Sequence, residues 1–219
     1  MKATKQGGAR PAVRAMLLIG PTGVGKTPFG SCLEKNGFRG SRCMHFDFGH
    51  ELRNLAQQEA APEGFSRREH VFIRDVLEKG LLLENEHFPI AEKVIDAFIR
   101  RSGSGPDDIL VLNGLPRHED QARDIDRKMT ITSLIVLECG VEDIFKRISY
   151  NTGGDRLGRS DDGIEMVRKK LDIFHARTAP LVDHYMKAGR GVFRLKVGSS
   201  STAEDLYSDF LSLEREPQV

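Results

Sequence analysis

Residues 20–27, with the sequence GPTGVGKT, place glycine, lysine and a hydroxyl side chain in the spacing G-x-x-x-x-G-K-[ST]. They follow an apolar stretch, residues 15–19, which predicts a buried strand. In such a loop the backbone N–H groups turn inward around an anion, and Lys26 adds a positive charge for the β and γ phosphates. The residues expected to hold these groups are Gly20, Thr22, Gly23, Val24, Gly25, Lys26 and Thr27. The alternative is a glycine-rich turn without a ligand.

A second candidate for phosphate binding is Arg117, in the sequence LNGLPRHEDQA at residues 112–122. It comes just after the third predicted strand, and ligands of open α/β sheets bind at the carboxyl ends of the strands. A guanidinium at this edge can bind two phosphate oxygens at once. Taken alone, Arg117 could equally be a surface ion-pair residue.

Residues 147–161, RISYNTGGDRLGRSD, contain three arginines and two adjacent glycines but few apolar side chains. We expect this stretch to be a mobile cationic flap that does not pack in a core. Closing Arg147, Arg156 and Arg159 over bound phosphates would stabilise negative charge and exclude water, as phosphoryl transfer requires. The helix that follows adds Arg168, Lys169 and Lys170. The alternative is a solvated basic stretch, offset by neighbouring aspartates.

The spacing of apolar runs predicts a doubly wound α/β fold with a five-stranded parallel sheet. The predicted strands are residues 15–19, Cys43–Asp47, Ile109–Asn113, 131–137 and 192–197, with helical patterns between them. One helix should follow the glycine-rich loop over Lys26–Asn36, a second should cover residues 89–101, and a last one should begin at Ser201 or Thr202, with Leu206, Phe210 and Leu213 facing inward.

Another helix is expected to begin with a capping pair, Asp162 and Glu165, and to be interrupted at Pro180. Its inward side chains should be Ile164, Val167, Leu171 and Phe174. Residues 48–105 are too many for a simple crossover and predict an inserted helical subdomain. We therefore divide the chain into a flexible basic tail at 1–14 and one domain at 15–215, with the insertion at about 48–105 and a short flap at 147–160.

The bulk composition of the 219 residues favours small partners. Lysine and arginine total 33 against 32 acidic residues, so no net charge attracts nucleic acid or a membrane. The three cysteines, Cys32, Cys43 and Cys139, are far apart, which suits free thiols in a reducing compartment. The apolar run near the N-terminus is too short for a signal sequence or a membrane span. We expect a soluble, cytoplasmic monomer that binds neither nucleic acid nor membranes.

In their order along residues 14–213, these motifs resemble the adenylate kinase family of nucleoside monophosphate kinases. GPTGVGKT is similar to the family's phosphate-binding loop, and NGLPR, followed by Gln121, is similar to its D-G-F-P-R stretch. FGHELR, GLLLEN, RSDD and HARTAPLVDHY match further motifs in the family's order. The resemblance implies a P-loop NTPase core with an inserted subdomain for the nucleoside monophosphate and a short lid. It also implies ATP and Mg²⁺ as cofactors.

The resemblance assigns roles to individual residues. Arg53 and Arg117 would hold the acceptor phosphate, Gln121 would read adenine, Phe48 would lie near the acceptor base, and Arg147 would stack on the donor base. The backbone of the GLLLEN turn would lie against the acceptor base. The residues that would surround the transferred phosphoryl group are Lys26, Arg117, Arg156, Arg159 and Lys170.

Five positions depart from the family pattern. Thr27 and Pro28 follow the loop lysine in place of Gly and Thr, so we assign the magnesium hydroxyl to Thr27. Asn113 replaces the aspartate that orders the metal's water molecules. Lys170 replaces an arginine, giving a point charge in place of a planar fork. Phe48 replaces a small hydroxyl residue, and its ring could either stack on the acceptor base or belong to the core.

The expected function is transfer of the γ-phosphoryl group of MgATP to a nucleoside monophosphate, with AMP favoured by Gln121. One alternative is a P-loop kinase for another small acceptor, such as a sugar or a shikimate-like acid, with Asp47 as the base. The other is a nucleotide-binding protein with weak or no catalysis, which Asn113 and Lys170 make plausible.

Overall fold

The structure, a computed structural model, describes residues 13–81, 83–103, 105–156 and 163–213. Within these ranges five parallel strands form one sheet in the order β2-β3-β1-β4-β5. The strands are β1 (Val13–Ile19), β2 (Cys43–Asp47), β3 (Ile109–Asn113), β4 (Met129–Glu138) and β5 (Gly191–Lys196). The predicted doubly wound α/β fold is confirmed, with β2 and β3 at the predicted residues and the other strands longer or shifted by one or two residues.

The register of the sheet brings particular strand ends together. Asp47 at the end of β2 is paired with Asn113 at the end of β3, and Asn113 is paired with Leu18 of β1. Because the strands are parallel, residues that follow all three strands meet at one edge of the sheet.

Nine α-helices surround the sheet in the described ranges. They are α1 (Lys26–Asn36), α2 (Phe48–Ala56), α3 (Arg67–Glu78), α4 (Phe88–Ser102), α5 (Glu119–Lys128), α6 (Val141–Ser149), α7 (Ile164–Ile173), α8 (Leu181–Lys187) and α9 (Ala203–Leu213). The helix predicted after the glycine-rich loop has the observed bounds, and the one predicted at 89–101 is observed as α4. Helices α2, α3 and α4 all lie between β2 and β3.

The two faces of the sheet carry separate cores. Ala15, Leu17 and Ile19 of β1 face a cluster that includes side chains of α4, α5 and α8. Met16 and Leu18, which alternate with them, face a cluster that includes side chains of α1 and α9. This alternation places helices on both faces, so both faces of the central strand are buried.

The helix expected to begin with Asp162 differs from the prediction at its N-terminus. The residue that precedes α7 is Gly163, which makes no side-chain capping bond, and Asp162 lies outside the described residues. The prediction that Ile164 faces inward is wrong, because its side chain is 64% exposed in the first turn. Val167 and Leu171 are buried against Ile144 of α6. Helix α7 therefore packs against α6 only from its second turn.

The interruption expected at Pro180 is confirmed. Helix α7 passes into a wide turn with π-type hydrogen bonding, Phe174–Thr178, and α8 begins directly after the proline. A proline at this position suits the start of a helix, since its missing N–H would have no partner there. Leu206 and Phe210 of α9 are buried as expected, whereas the inward position predicted for Leu213 is wrong because that side chain is exposed. No helix in the described ranges is both long and apolar enough to span a membrane.

Candidate active site

The glycine-rich loop joins β1 to α1 and depends on two glycines with positive φ. Gly23 has φ of 78° and Gly25, the residue before α1, has φ of 102°, which only glycine adopts without strain. A Cβ on Gly25 would lie 2.9 Å from a terminal nitrogen of Arg147, and one on Gly23 would lie 2.7 Å from a side-chain carbon of Ile148. The loop is therefore packed against α6 as closely as glycine permits.

Lys26 lies at the base of the loop. Its Nζ donates hydrogen bonds to the carbonyl oxygens of Gly20 and Pro21, at 2.6 and 2.7 Å. Burial, followed by the positive charge of Arg117, lowers the pKa of Lys26 from 10.5 to about 7. A bound phosphate would place a negatively charged partner beside this amine, so the site is electrostatically suited to an anion.

Thr27, at the start of α1, contacts the ends of the two neighbouring strands. Its Oγ1 donates to Asp47 Oδ2 at 2.6 Å, and Asn113 Nδ2 donates to the same carboxylate oxygen at 2.8 Å. Asn113 Nδ2 also lies 3.3 Å from Thr27 Oγ1. The parallel register of β2 and β3 produces this contact, because it sets residues 47 and 113 side by side.

Asp47 is the residue that precedes α2, and its Oδ1 accepts a hydrogen bond from the His50 backbone N–H at 2.9 Å. Burial raises the pKa of Asp47, but the hydrogen bonds from Thr27 and His50, with the nearby charges of His45 and Arg53, hold it below its usual range. The carboxylate is therefore ionised at neutral pH. The Thr27 hydroxyl and the Asp47 carboxylate are oxygen donors of the kind that Mg²⁺ prefers.

The described residues contain no group of three or more acidic, histidine or cysteine side chains that could enclose a metal by themselves. This arrangement fits magnesium in a phosphate site, where the ion commonly binds one or two protein oxygens and takes the rest of its ligands from phosphates and water. The role of Thr27 as a magnesium ligand stays a prediction.

Arg117 follows β3, and Arg53 lies in α2. Arg117 Nε donates to the Gly114 carbonyl oxygen at 2.7 Å, and its Nη2 would lie 3.6 Å from a Cβ on Gly114. Burial lowers the pKa of Arg117, although a guanidinium stays charged in proteins. Arg53, from α2, lies beside Gly49. Both arginines line the same cleft as Lys26.

Gln121 joins two of the sequence motifs. Its Oε1 accepts from the Arg117 backbone N–H at 2.9 Å, and its Nε2 donates to the Leu83 carbonyl oxygen at 2.7 Å. The side chain is almost fully buried, yet it lines the cleft. Both ends of the amide thus hold the turn that contains Leu83 against the loop that contains Arg117. The adenine-reading role of Gln121 stays a prediction.

Phe48 occupies a position between the core and the cleft. Its ring is buried 6.1 Å from the ring of Phe46, and the residue also lines the cleft. The structure thus accommodates both interpretations of this side chain, as part of the core and as a neighbour of the acceptor base.

Arg147 does not belong to an unpacked flap, and that prediction is wrong. It lies in α6 and is 3% exposed. Its Nη1 donates to the carbonyl oxygens of Gly198 and Ser201, both at 2.8 Å, and its Nε donates to the Gly23 carbonyl oxygen at 3.3 Å. These bonds fasten the glycine-rich loop to the loop after β5, which explains why an arginine is buried here. Stacking of Arg147 on a donor base stays a prediction.

The remaining predicted cationic side chains differ in whether they line the cleft. Arg156 and Lys170 line the cleft with Asp155, whereas the side chains of Arg168 and Lys169 are exposed. Arg159 lies outside the described residues. The cleft is otherwise lined by the glycine-rich loop, by residues 47–53, by apolar side chains of α3 and the turn after it, and by residues 113–117.

Sequence reasoning did not identify the Thr27–Asp47 contact and considered Asp47 only as a base for a hydroxyl acceptor. The available signal was the position of Asp47 at the end of a strand in a parallel sheet. Such a position directs a side chain to the edge where the glycine-rich loop also lies.

No protein-family model matches the chain. Among curated proteins, the chain is similar to an adenylate kinase of Carboxydothermus hydrogenoformans, with 28% identity over 80% of this chain and 88% of that protein. An adenylate kinase of Thermus thermophilus is 28% identical over 89% of this chain and 94% of its own length. UMP-CMP kinase 1 of Oryza sativa subsp. japonica is 24% identical over 90% of this chain and 72% of that protein. A solved gluconokinase structure from Sinorhizobium meliloti 1021 aligns with a TM-score of 0.49 and 12% identity over 92% of this chain and 90% of that chain.

Proposed function

We propose that this chain, which is similar to adenylate kinases and to a UMP-CMP kinase over most of its length, is a nucleoside monophosphate kinase, which transfers the γ-phosphoryl group of MgATP to a nucleoside monophosphate. AMP is the acceptor that we propose, because Gln121 stands at the position that reads adenine in the resembling motif. The reaction needs no covalent intermediate and no strong protein base, since the acceptor is already a phosphate anion.

The observation that carries the proposal is a single cleft lined by cations from distant parts of the chain. Lys26 and Thr27 come from the glycine-rich loop, Arg53 from the helices after β2, and Arg117 from the end of β3. Arg156 and Lys170 enter from the segment before α7 and from α7 itself. Two nucleotides that meet through their phosphates would place several negative charges in this cleft, which suits its lining.

The donor phosphates are assigned to the loop side of the cleft. There the N-terminus of α1 and the backbone N–H groups of residues 22–27 would bind the phosphate oxygens, and Lys26 can exchange its two carbonyl partners for phosphate oxygens. Thr27 would contact magnesium, which neutralises phosphate charge when it is bound. Arg156 and Lys170 would stabilise the charge that develops on the transferred group.

The acceptor is assigned to the opposite side. Arg53 and Arg117 would bind its phosphate, and the apolar side chains of Leu52, Val76 and Leu83, which line that part of the cleft, would cover its base. Holding the acceptor phosphate in line with the donor supplies most of the rate enhancement in such a mechanism, because positioning and charge replace proton transfer.

A coupled assay that detects ADP, with MgATP against AMP, UMP, CMP, GMP and dTMP, tests this function. We expect transfer to at least one monophosphate, fastest with AMP. Phosphorylation of a sugar or another alcohol, without transfer to any monophosphate, would instead support the alternative in which Asp47 is a base. The pKa of Asp47, which lies below its usual range, makes this carboxylate a poor base.

Tight binding of ATP without transfer to any acceptor would favour a nucleotide-binding protein without catalysis. Asn113 and Lys170, which both line the cleft, are the residues that make this alternative plausible. Lys170→Arg distinguishes the two possibilities. An active kinase limited by this position should become faster with the planar guanidinium, whereas a protein without transfer activity should stay inactive.

A further inference from the structure

We propose that Asp47, at the end of β2, supplies the carboxylate that holds Mg²⁺ in the ATP site, while the neighbouring β3 contributes only the neutral amide of Asn113. The inference rests on the proposed use of MgATP. It assigns to Asp47 a role in metal binding and not in proton abstraction.

The geometry places this carboxylate at the predicted magnesium ligand. Asp47 Oδ2 accepts a hydrogen bond from Thr27 Oγ1 at 2.6 Å, the shortest of the contacts around that hydroxyl. In P-loop nucleotide sites a hydroxyl at this position binds the metal together with an aspartate at the end of a nearby strand. Asp47 meets that description, because it is the last residue of a strand and contacts the hydroxyl directly.

Asn113 holds the carboxylate in place. Its Nδ2 donates to Asp47 Oδ2 at 2.8 Å, and the two residues are paired across β2 and β3. A second carboxylate at residue 113 would face Asp47 at this distance, and like charges so close disfavour simultaneous ionisation. The amide avoids that conflict, so the paired residues at the ends of β2 and β3 carry one negative charge, on Asp47.

Two carboxylates line the cleft in the part of the chain that the structure describes, Asp47 and Asp155. Asp47 is bound by Thr27 and lies between the loop and the acceptor arginines. Asp155 precedes Arg156 and lies beside Gly153 and Pro28. Asp155 therefore provides a matched control, since it contributes charge to the same cleft from a different side.

The test is calorimetric binding of MnATP, and separately of ATP in EDTA, to the full chain without an acceptor. Asp47→Asn removes the charge but keeps a good helix-capping side chain before α2, so the fold should persist. We expect this variant to bind MnATP about tenfold more weakly or worse, while its affinity for ATP in EDTA is unchanged or slightly higher. Unchanged MnATP affinity in Asp47→Asn would overturn the proposal.

Two further variants complete the test. Asp155→Asn should lose much less MnATP affinity than Asp47→Asn, because Asp155 does not contact the Thr27 hydroxyl. An equal loss in Asp155→Asn would mean that Asp47 contributes only general negative charge to the cleft, and this would overturn the assignment. The double variant D47N/N113D moves the carboxylate to the paired residue on β3 and should recover most of the lost affinity. No recovery would show that a carboxylate beside Thr27 is not what the Asp47→Asn variant lacks, which also contradicts the proposal. Because no acceptor is present, these results are independent of the substrate panel that tests the kinase function.

Discussion

Arg177 and Glu84 form a two-point ion pair that joins the segment after α7 to the segment before α4. Arg177 Nη1 lies 2.7 Å from Glu84 Oε1, and Nη2 lies 2.8 Å from Oε2. Both side chains are substantially exposed. On one side, the pair holds the turn that contains the buried Leu83, whose carbonyl oxygen accepts the Gln121 hydrogen bond. On the other side, it holds the segment between α7 and α8 that contains Arg177. It is thus a surface link between two sides of the cleft.

The Arg177–Glu84 pair should contribute little to stability. Exposed ion pairs are worth about 0–1 kcal/mol even with good geometry. The hydrogen bonds from Arg177 lower the pKa of Glu84, so its contribution is present at neutral pH and is lost as the pH falls through that lowered pKa. A double-mutant cycle with Glu84→Gln and Arg177→Gln, measured by urea unfolding at pH 7 and pH 3, checks this. A coupling energy that is large, or that persists in acid, would contradict the exposed-pair interpretation.

Lys26→Met should abolish transfer and remove a pH dependence from the stability of the ligand-free protein. The pKa of Lys26, lowered to about 7, means that the folded state disfavours the charged amine. A base with a lowered pKa weakens folding when it is protonated, so stability should rise as the pH increases from about 7 towards 10.5. The methionine removes this dependence, and in a chain of this size each kcal/mol gained raises the melting temperature by about 2–4 °C.

ATP binding should consequently take up a proton above neutral pH. Phosphate charge raises the pKa of the Lys26 amine, so affinity should decline as the pH rises from about 7 to 9. Calorimetry in buffers of different ionisation enthalpy measures the proton uptake directly, and Lys26→Met is the control that should show none. If the parent protein binds ATP without net proton uptake at pH 8, the pKa of Lys26 in the ligand-free protein is not lowered as described.

Arg117→Ala should remove most turnover while the fold survives. Loss of an arginine that stabilises a transferring phosphoryl group costs about 10³–10⁵ in rate. Arg117→Lys should restore little, because a point charge cannot reproduce two parallel hydrogen bonds. Arg159→Ala should behave similarly. Arg168→Ala, which changes an exposed side chain on α7, is the matched control and should retain the parent's turnover. Comparable activity of the Arg117 and Arg168 variants in the coupled assay would remove Arg117 from the site.

Arg147→Met should act first on stability. The substitution removes the Arg147 donor from the carbonyl oxygens of Gly23, Gly198 and Ser201, of which Gly198 keeps the Ser201 N–H at 3.3 Å. A buried polar group without a partner costs about 1–3 kcal/mol, so the free energy of unfolding should fall by roughly 3 kcal/mol or more. Arg123→Met, an exposed change on α5, should have little effect. If Arg147→Met instead leaves urea unfolding unchanged and only weakens ATP binding, the stacking role is the better account.

The structure also shows which parts of the fold could be predicted. Strands β2 and β3 and helix α1 have the predicted bounds because short apolar runs, a glycine-rich loop and a terminal glycine limit them locally. The buried position of Arg147 could not be predicted from a basic, glycine-rich stretch, because its partners are backbone carbonyls far along the chain. Ile164 fits a helical periodicity, but its side chain is exposed in the first turn of α7. The Thr27–Asp47 contact depends on strand order, which the apolar pattern leaves open.

Gly30→Ala gives a test of packing behind the glycine-rich loop. Alanine in place of glycine inside a helix normally stabilises by about 0.5–1 kcal/mol. Here a Cβ on Gly30 would lie only 2.3 Å from His45 Nε2, so we expect the opposite sign and a loss of about 1–3 kcal/mol. In a His45→Ala background the obstruction is gone, and Gly30→Ala should become stabilising. Urea unfolding of the four proteins measures both effects. If Gly30→Ala stabilises equally with and without the His45 ring, the imidazole does not pack against α1 as described.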